Sequence, residues 1–199
     1  MFVMYNFENS KKNILGKEDK SSIGEVDSRI VGLCDAVNSR DDMFTTSSCS
    51  GRVVLIRDAE KKGKGMFLFR SHELISFEGL KSEVERVASE NSDGLVMFKQ
   101  EPCLLVVSCK DDEVRDWLFG IARNNGWKKS GVMGGKKRLV ELMSTGMLEF
   151  PVVKGGKILV DDSFLKVVVE RANRNLVRSW ERIGELRERI EGLKDRIGS

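Results

Sequence analysis

The chain has 199 residues, of which 40% are hydrophobic and 33% charged, with a formal net charge of +3. No apolar run approaches the roughly 18 residues that cross a bilayer, which excludes a membrane-spanning helix. The N-terminal residues lack the layout of a signal peptide, so we expect a cytoplasmic location. The charge is too small to establish nucleic-acid binding. Short basic turns beside glycines can contact phosphates, with ordinary solubilising surface as the alternative; they span residues 61–64, 128–129 and 136–138.

Hydrophobic periodicity predicts alternating helices and strands along the chain. Helices are expected over residues 2–16, 25–39, 80–89 and 112–124. Strands are expected over 44–46, 53–57, 66–70, 95–98, 104–108 and 139–143, followed by a hairpin over 152–160. From 163 to 199, apolar residues step by three or four, which predicts one long C-terminal helix that packs on a sheet and can self-associate. We therefore predict an α+β fold: one domain over 1–199 with a mixed β-sheet flanked by helices.

The most unusual segment of the sequence is Thr45-Thr46-Ser47-Ser48-Cys49-Ser50-Gly51-Arg52. Hydroxyl and thiol side chains precede a glycine and an arginine, and apolar runs flank the segment, which predicts a tightly held loop between two strands. Short hydrogen-bonding groups, close backbone approach at Gly51 and the fixed cation of Arg52 suit a polar or phosphate-bearing ligand. The alternative is a Ser/Thr-rich turn that leads into a strand.

Several familiar kinds of site have no motif in this sequence. There is no G-x-G-x-x-G fingerprint after a strand and no Walker loop, so neither a standard Rossmann-type cofactor site nor an NTPase is indicated. Cys34, Cys103 and Cys109 are interpreted as reduced core thiols. With no CxxC pair and a single histidine, a zinc site is not expected. Cys49 and His72 would form a thiol hydrolase site only if the fold brought them together.

Separated motifs together resemble the tRNA wybutosine-synthesising protein 3 family of S-adenosylmethionine-dependent methyltransferases. The most specific of them is the Ser-Ser-Cys-Ser-Gly-Arg run that ends at Arg52. The others are Asp19-Lys20-Ser21 with Gly24, Val26 and Asp27, then Ser71-His72, Phe98-Lys99-Gln100-Glu101-Pro102, Ser130-Gly131, Ser144-Thr145, Leu159-Val160-Asp161 and Ala172-Asn173. The resemblance covers nearly the whole chain in order.

The resemblance implies an enzyme that acts on phenylalanine tRNA. It would methylate N4, a ring nitrogen of the wyosine-type tricyclic base next to the anticodon. S-adenosylmethionine would be the methyl donor, and no metal would be needed. Because this family does not use the usual methyltransferase fold, the missing glycine fingerprint agrees with it. The alternatives are a non-catalytic tRNA-binding module and a Cys-His hydrolase.

The resemblance also implies roles for particular residues. Methyl transfer from a sulfonium is an in-line displacement, and the attacking nitrogen loses a proton. His72 and Asp161 are the candidate proton acceptors, with a helix cap as the alternative for Asp161. Donor binding falls to Ser47, Ser48, Cys49, Ser50, Gly51 and Arg52. Substrate binding falls to Asp19, Lys20, Glu101, Ser144 and Asn173, with a role in the turn at Pro102 as the alternative for Glu101.

Overall fold

The computed structural model describes residues 6–16, 27–58, 65–90 and 93–192, and the structural statements below concern these residues. In chain order the elements are α1 (Phe7–Leu15), α2 (Ser28–Asn38), β1 (Met43–Cys49), β2 (Arg52–Arg57), β3 (Phe67–Ser71), α3 (Phe77–Glu90), β4 (Leu95–Glu101), β5 (Leu104–Cys109), α4 (Asp112–Asn124), β6 (Gly131–Met133), β7 (Leu139–Met143), β8 (Leu148–Lys154), β9 (Lys157–Ile158) and α5 (Asp162–Glu191).

The chain divides into two compact units, each assembled from separated segments. The first unit contains Met1–Ser50, Cys103–Thr145 and Trp180–Ser199. The second unit contains Gly51–Pro102 and Gly146–Ser179. The chain therefore passes between the units at four peptide bonds, and three of these bonds lie at the Ser50-Gly51, Pro102-Cys103 and Thr145-Gly146 steps of the sequence motifs.

The first unit is built on a four-stranded sheet in the order β1-β5-β7-β6, and every pairing in it is antiparallel. Helix α2 packs on β1, and α4 packs on β5 and β7. The apolar face of α5 completes this core with Ile183, Leu186 and Ile190, all buried. Burying such side chains removes apolar surface from water and is the main stabilisation of the unit. The part of the α5 stripe from Ile183 to Ile190 therefore packs within the chain.

The second unit is built on a five-stranded sheet in the order β3-β2-β4-β8-β9, again antiparallel throughout. Helix α3 packs on β8 and β9. Alternate side chains of β4 point inward, because strand side chains alternate between the two faces; these are Val96, Phe98 and Gln100. The N-terminal half of α5 buries Leu165, Val168, Ala172 and Leu176 at the predicted helical spacing.

The predicted α+β class and the long C-terminal helix are confirmed, and the fold is not of the Rossmann type. The expected mixed sheet is corrected, because the strands form two sheets in which all pairings are antiparallel. Helix α4 has the predicted bounds, the hairpin is formed by β8 and β9, and strand β6 was not predicted. The first four residues of the predicted N-terminal helix and the last seven of the C-terminal helix lie outside the described residues. A single domain stays a prediction.

The cysteines behave as small apolar side chains. None of the four forms a disulfide bond in the described structure; Cys103 and Cys109 are buried, and Cys34 packs against the core of the first unit. Burial raises the pKa of the Cys109 thiol to about 12, so this thiol is neutral at physiological pH. The interpretation of these three residues as core thiols is confirmed. In the described part of the chain, no helix is long and apolar enough to cross a bilayer.

Candidate functional site

The hydroxyl-rich segment is a strand rather than the predicted loop. It lies on β1, at one edge of the first unit's sheet, and pairs with β5 from Met43 through Cys49. A bulge between Thr45 and Ser47 shifts the register. The side chains of Ser47 and Ser48 are exposed, and that of Cys49 is half-buried. Edge strands tolerate polar side chains because one of their sides has no neighbouring strand, so the segment presents its hydroxyls on strand backbone that contains one bulge.

Ser50 ends the first unit with a buried hydroxyl group. Its side chain has no exposed surface, and its Oγ has no hydrogen-bond partner within the described residues. Its backbone N–H donates to Oδ2 of Asp27 at 2.6 Å. An unpaired buried hydroxyl costs free energy, so such groups call for an explanation, and a bound polar ligand is one.

Asp27 is a functional candidate to which the sequence assigned no role. It precedes α2, where an aspartate ordinarily caps the helix with its side chain. Here the carboxylate makes no cap hydrogen bond and turns to the N–H of Ser50 instead. In the sequence, the indication of a role for Asp27 was its position in the motif that begins at Asp19. Asp19 and Lys20, from the same motif, lie outside the described residues.

His72 follows β3 in the second unit and contacts the main chain at Gly51. Its Nδ1 lies 3.0 Å from the carbonyl oxygen of Gly51. A carbonyl only accepts, so Nδ1 carries the proton, and the neutral ring holds its lone pair on Nε2. Gly51 has a φ of 103°, a conformation that glycine adopts without strain. The glycine thus aims its carbonyl at the imidazole and sets the tautomer.

Arg52 and Glu101, both predicted to bind ligands, contact each other. They lie opposite each other on β2 and β4, and Nε of Arg52 donates to Oε2 of Glu101 at 2.5 Å. The guanidinium also lies 5.2 Å from the ring centre of Phe67. The carboxylate offsets much of the arginine charge. No other hydrogen bond of this guanidinium is found within the described residues, so its terminal nitrogens remain suited to an anionic acceptor.

Asn173 lies on α5 and binds the backbone of the segment that carries His72. Its Oδ1 accepts from the N–H of Ile75 at 3.0 Å, and its Nδ2 donates to the Ile75 carbonyl at 2.8 Å. Both ends of the amide are therefore used within the second unit. This geometry supports a positioning role for Asn173 over the substrate-binding role that we expected.

A second pair of amides, Gln100 and Asn175, lies buried in the same unit. Nδ2 of Asn175 donates to Oε1 of Gln100 at 2.7 Å, and Nε2 of Gln100 donates to the Glu101 carbonyl at 3.0 Å. Neither residue was predicted to have a functional role. Gln100 could have been noticed in the sequence as a glutamine at an inward position of an apolar strand, because buried polar groups need hydrogen-bond partners.

Asp161 caps helix α5. Its Oδ1 accepts from the N–H of Phe164 at 2.8 Å and from the Ser163 hydroxyl at 2.5 Å. These bonds, that of Ser163 first, hold the pKa of Asp161 below its ordinary value. A carboxylate with a lowered pKa is a weak proton acceptor, so the geometry supports the cap over the catalytic role.

Ser144 directly follows β7 in the first unit and is fully buried. Its backbone N–H donates to the carbonyl of Cys103 at 3.2 Å, which extends the pairing of β5 and β7 by one residue. The next residue, Thr145, accepts from Arg182 through its carbonyl and its hydroxyl, at 3.3 and 3.2 Å. These contacts fix the main chain at the motif, and substrate binding by Ser144 stays a prediction.

Comparison with known proteins identifies the class of protein. Residues 9–192 match the family model described as Methyltransferase TYW3. A tRNA(Phe) 7-((3-amino-3-carboxypropyl)-4-demethylwyosine(37)-N(4))-methyltransferase of Archaeoglobus fulgidus is 35% identical over an alignment of 187 residues, and the match covers 92% of this chain and 92% of that protein. A tRNA wybutosine-synthesizing protein 3 homolog of Xenopus laevis is 33% identical over 184 residues, covering 89% of this chain and 71% of that protein.

The solved structure of the PH1069 protein from Pyrococcus horikoshii is also similar. It has a TM-score of 0.81 and 30% identity, and the match covers 93% of this chain and 96% of that one. The fold is thus outside the Rossmann class, and the sequence comparisons identify a methyltransferase family. The chain belongs to the Methyltransferase TYW3 family, which confirms the resemblance found in the sequence.

Proposed function

We propose that this chain is an S-adenosylmethionine-dependent methyltransferase that methylates N4 of the wyosine-type base next to the anticodon of phenylalanine tRNA. The main support is that residues 9–192 match a methyltransferase family, whose relatives are named for this reaction. A non-catalytic tRNA-binding module and a thiol hydrolase are not favoured, because those relatives are named as methyltransferases.

The first unit offers groups that fit the methyl donor. S-adenosylmethionine is a polar cation that supplies an electrophilic methyl group when bound. The buried, unpartnered Oγ of Ser50 fits one of its polar groups. The carboxylate of Asp27, hydrogen-bonded to the Ser50 N–H, favours a positive charge nearby. Ser47, Ser48 and Cys49 add further short polar groups on the edge strand. We assign donor binding to Ser50 and Asp27 before the others.

His72 is the candidate proton acceptor. The nitrogen that attacks the methyl group must lose a proton to a group within hydrogen-bond reach. Because Nδ1 donates to the Gly51 carbonyl, Nε2 of the neutral imidazole is the atom that can accept it. Arg52, partly neutralised by Glu101, is suited to orient an anionic group such as a phosphate. These residues bind, orient and accept a proton, and none needs to form a covalent bond.

Other parts of this assignment remain proposals that follow from the sequence. We propose that the reaction needs no metal ion, that it takes place in the cytoplasm, and that the chain can self-associate through its C-terminal helix. Within the described residues, most of the apolar stripe of that helix is buried between Leu165 and Ile190, so self-association through this part of the helix would use its other faces.

Replacing Ser50 by alanine tests the assignment. Because Oγ of Ser50 makes no hydrogen bond in the protein, Ser50→Ala should leave the melting temperature unchanged or raise it. Binding of S-adenosylmethionine should weaken by about three- to tenfold, the worth of one hydrogen bond. Isothermal titration calorimetry, with and without tRNA, measures the affinity, and thermal melts measure the stability.

The matched control is Ser108→Ala. Ser108 is equally buried, but its Oγ donates to the Lys137 carbonyl at 3.0 Å, so this change should lower the melting temperature without altering donor binding. Unchanged donor affinity in Ser50→Ala would remove Ser50 from the site. Absence of saturable donor binding by the unaltered protein, with or without phenylalanine tRNA, would overturn the methyltransferase function. Turnover without donor that stops when Cys49 is alkylated would favour the hydrolase.

A further inference from the structure

One strongly basic surface has no part in the site described above. Residues 128–138, here called the basic hairpin, contain β6 and the turn that leads into β7. They include five cations and no carboxylate, within the sequence KKSGVMGGKKR. Four of the cations have exposed side chains: Lys128, Lys129, Lys136 and Lys137. A concentration of one sign of charge on a short segment creates a positive field that attracts polyanions.

The turn of the basic hairpin is held by the rest of the first unit. The buried Ser108 hydroxyl donates to the Lys137 carbonyl at 3.0 Å, and the Cys109 N–H donates to the Arg138 carbonyl at 3.2 Å. Arg138 also pairs with Asp112 at 3.3 Å. Its φ is 45°, a strained value that no other non-glycine residue has within the described residues. Strain of this kind persists only where the surroundings impose one conformation.

The other end of the basic hairpin is fixed as well. The Ser130 hydroxyl donates to the Trp127 carbonyl at 2.5 Å and accepts from the Met143 N–H at 3.2 Å. The Lys129 N–H donates to the Met143 carbonyl at 3.1 Å. Both lysine pairs are therefore carried on ordered backbone. Ordered positions reduce the entropy that a cation loses when it binds a phosphate.

The basic hairpin also exposes apolar side chains beside its lysines. Val132 is 46% exposed and Met133 is 44% exposed, and both lie on β6, an edge strand. Lysines alone would be enough to protect an edge strand from aggregation, but exposed apolar residues work against that purpose. RNA matches both features, because its phosphates pair with lysines and its bases and riboses offer apolar surface.

We propose that the basic hairpin is a docking surface for the tRNA substrate. Its lysines bind tRNA phosphates, and Val132 and Met133 contact bases or riboses. This inference rests on the proposed function, since it names the surface by which that enzyme holds its RNA. The contacts position the tRNA and take no part in methyl transfer.

The test measures binding of phenylalanine tRNA by the double variant Lys128→Gln, Lys137→Gln across a series of salt concentrations. At physiological salt we expect a loss of roughly tenfold or more, and a fall of about 1.5 in the slope of log affinity against log salt, from two lost phosphate contacts. Met133→Ala should weaken binding with the slope unchanged. Donor affinity and the rate at saturating tRNA should stay normal in both variants.

The matched control is the double variant Lys154→Gln, Lys157→Gln, which removes the same charge from exposed lysines beside another glycine turn. It should bind tRNA nearly normally. An equal loss of tRNA affinity in this control would overturn the proposal, as would normal affinity and slope in the basic hairpin variant. In either case, methylation by the unaltered protein would still support the proposed function. Binding to phosphatidylserine vesicles in place of tRNA would also overturn it. If the unaltered protein neither binds nor methylates tRNA, the proposed function fails together with this surface.

Discussion

At the scale of single residues, His72 depends on two main-chain contacts. The Gly51 carbonyl fixes the proton on Nδ1, and Asn173 holds Ile75, three residues beyond the imidazole. Two hydrogen bonds from the Asn173 side chain on α5 restrain this segment. Small displacements of a catalytic group cost rate steeply, because the reacting atoms must be aligned. The amide of Asn173 therefore acts on the reaction through the backbone.

We predict that His72→Ala slows the methyl-transfer step by roughly 10²–10⁴-fold, the usual range for a lost general base. Asn173→Ala should slow it less, by about ten- to a hundredfold, because the imidazole remains but is less well held. Binding of donor and tRNA should be near normal in both. Activity of the unaltered enzyme should fall on acidification, since a protonated imidazole cannot accept a proton.

Single-turnover methylation with saturating tRNA across a pH series provides the measurement. Leu74→Ala is the control, because Leu74 lies in the same segment and is 50% exposed. If Asn173→Ala weakens tRNA binding and leaves the transfer rate unchanged, Asn173 binds substrate after all. A His72→Ala enzyme with a normal rate and pH profile would take His72 out of the chemistry.

Asp161 gives a prediction about stability and pH. Its pKa is lowered in the folded protein by the Ser163 hydroxyl and the Phe164 N–H. A lowered pKa means that the charged form stabilises the fold above the unfolded pKa of about 3.9, and that this stabilisation is lost as pH falls through the folded value. Asp161→Ala should therefore melt below the unaltered protein at pH 7, and the two melting temperatures should converge in acid.

Asp161→Asn separates the cap from the charge, because asparagine also caps helices well. It should melt between the alanine variant and the unaltered protein at pH 7. Methyl transfer should be nearly normal in both variants, as expected of a residue that caps a helix. Equal melting of all three proteins at pH 7, together with a large loss of transfer, would return Asp161 to the active site.

At the scale of elements, strand β1 shows why the hydroxyl-rich segment was expected to be a loop. Serine and threonine hydrogen-bond nearby backbone and so favour turns in an isolated sequence. The backbone of β1 is instead paired with β5 on both sides of the bulge at Thr46, and this register cannot be inferred from local composition. The consequence for function is a row of hydroxyls on a strand, which holds them more precisely than a loop would.

In helix α5, by contrast, the spacing of apolar residues alone was enough to predict the helix and its buried face. Between Leu165 and Ile190 most of the stripe is buried, and Leu186 takes the buried position beside the exposed Arg187. Because Leu186 and Ile190 belong to the core of the first unit, a truncation after Gly184 would remove part of that core. The end of the helix therefore contributes to folding of the unit, beyond any role in association.

At the scale of the whole molecule, local sequence patterns predicted the fold class and most helices and strands. Which residues contact each other could be learned only from the fold. The bounds of α4 could be predicted because Asp111 caps it and its apolar residues recur at helical spacing. Strand β6 was missed because it has three residues and begins with glycine. The pair Arg52–Glu101 needs the register of β2 on β4, and Gln100–Asn175 joins residues 75 positions apart. Sequence motifs marked several of these residues without showing which of them touch.

The connectivity of the chain leads us to predict that the two units unfold together, as expected of a single domain. Each unit is made of separated segments, so neither can form from one continuous piece of chain. All three tryptophans, Trp117, Trp127 and Trp180, lie in the first unit, so their fluorescence reports that unit while circular dichroism reports both.

The variant to compare is Leu80→Ala, a buried position of the second unit that should cost about 2–5 kcal/mol of unfolding free energy. If folding is cooperative, denaturant melts followed by tryptophan fluorescence should shift as far as those followed by circular dichroism, because one transition governs both signals. Leu105→Ala, buried in β5 of the first unit, is the control. It should shift the fluorescence midpoint in either case, and it should shift the fluorescence and dichroism midpoints equally only if the units unfold together. A fluorescence midpoint unmoved by Leu80→Ala, with a displaced dichroism midpoint, would show two independent domains.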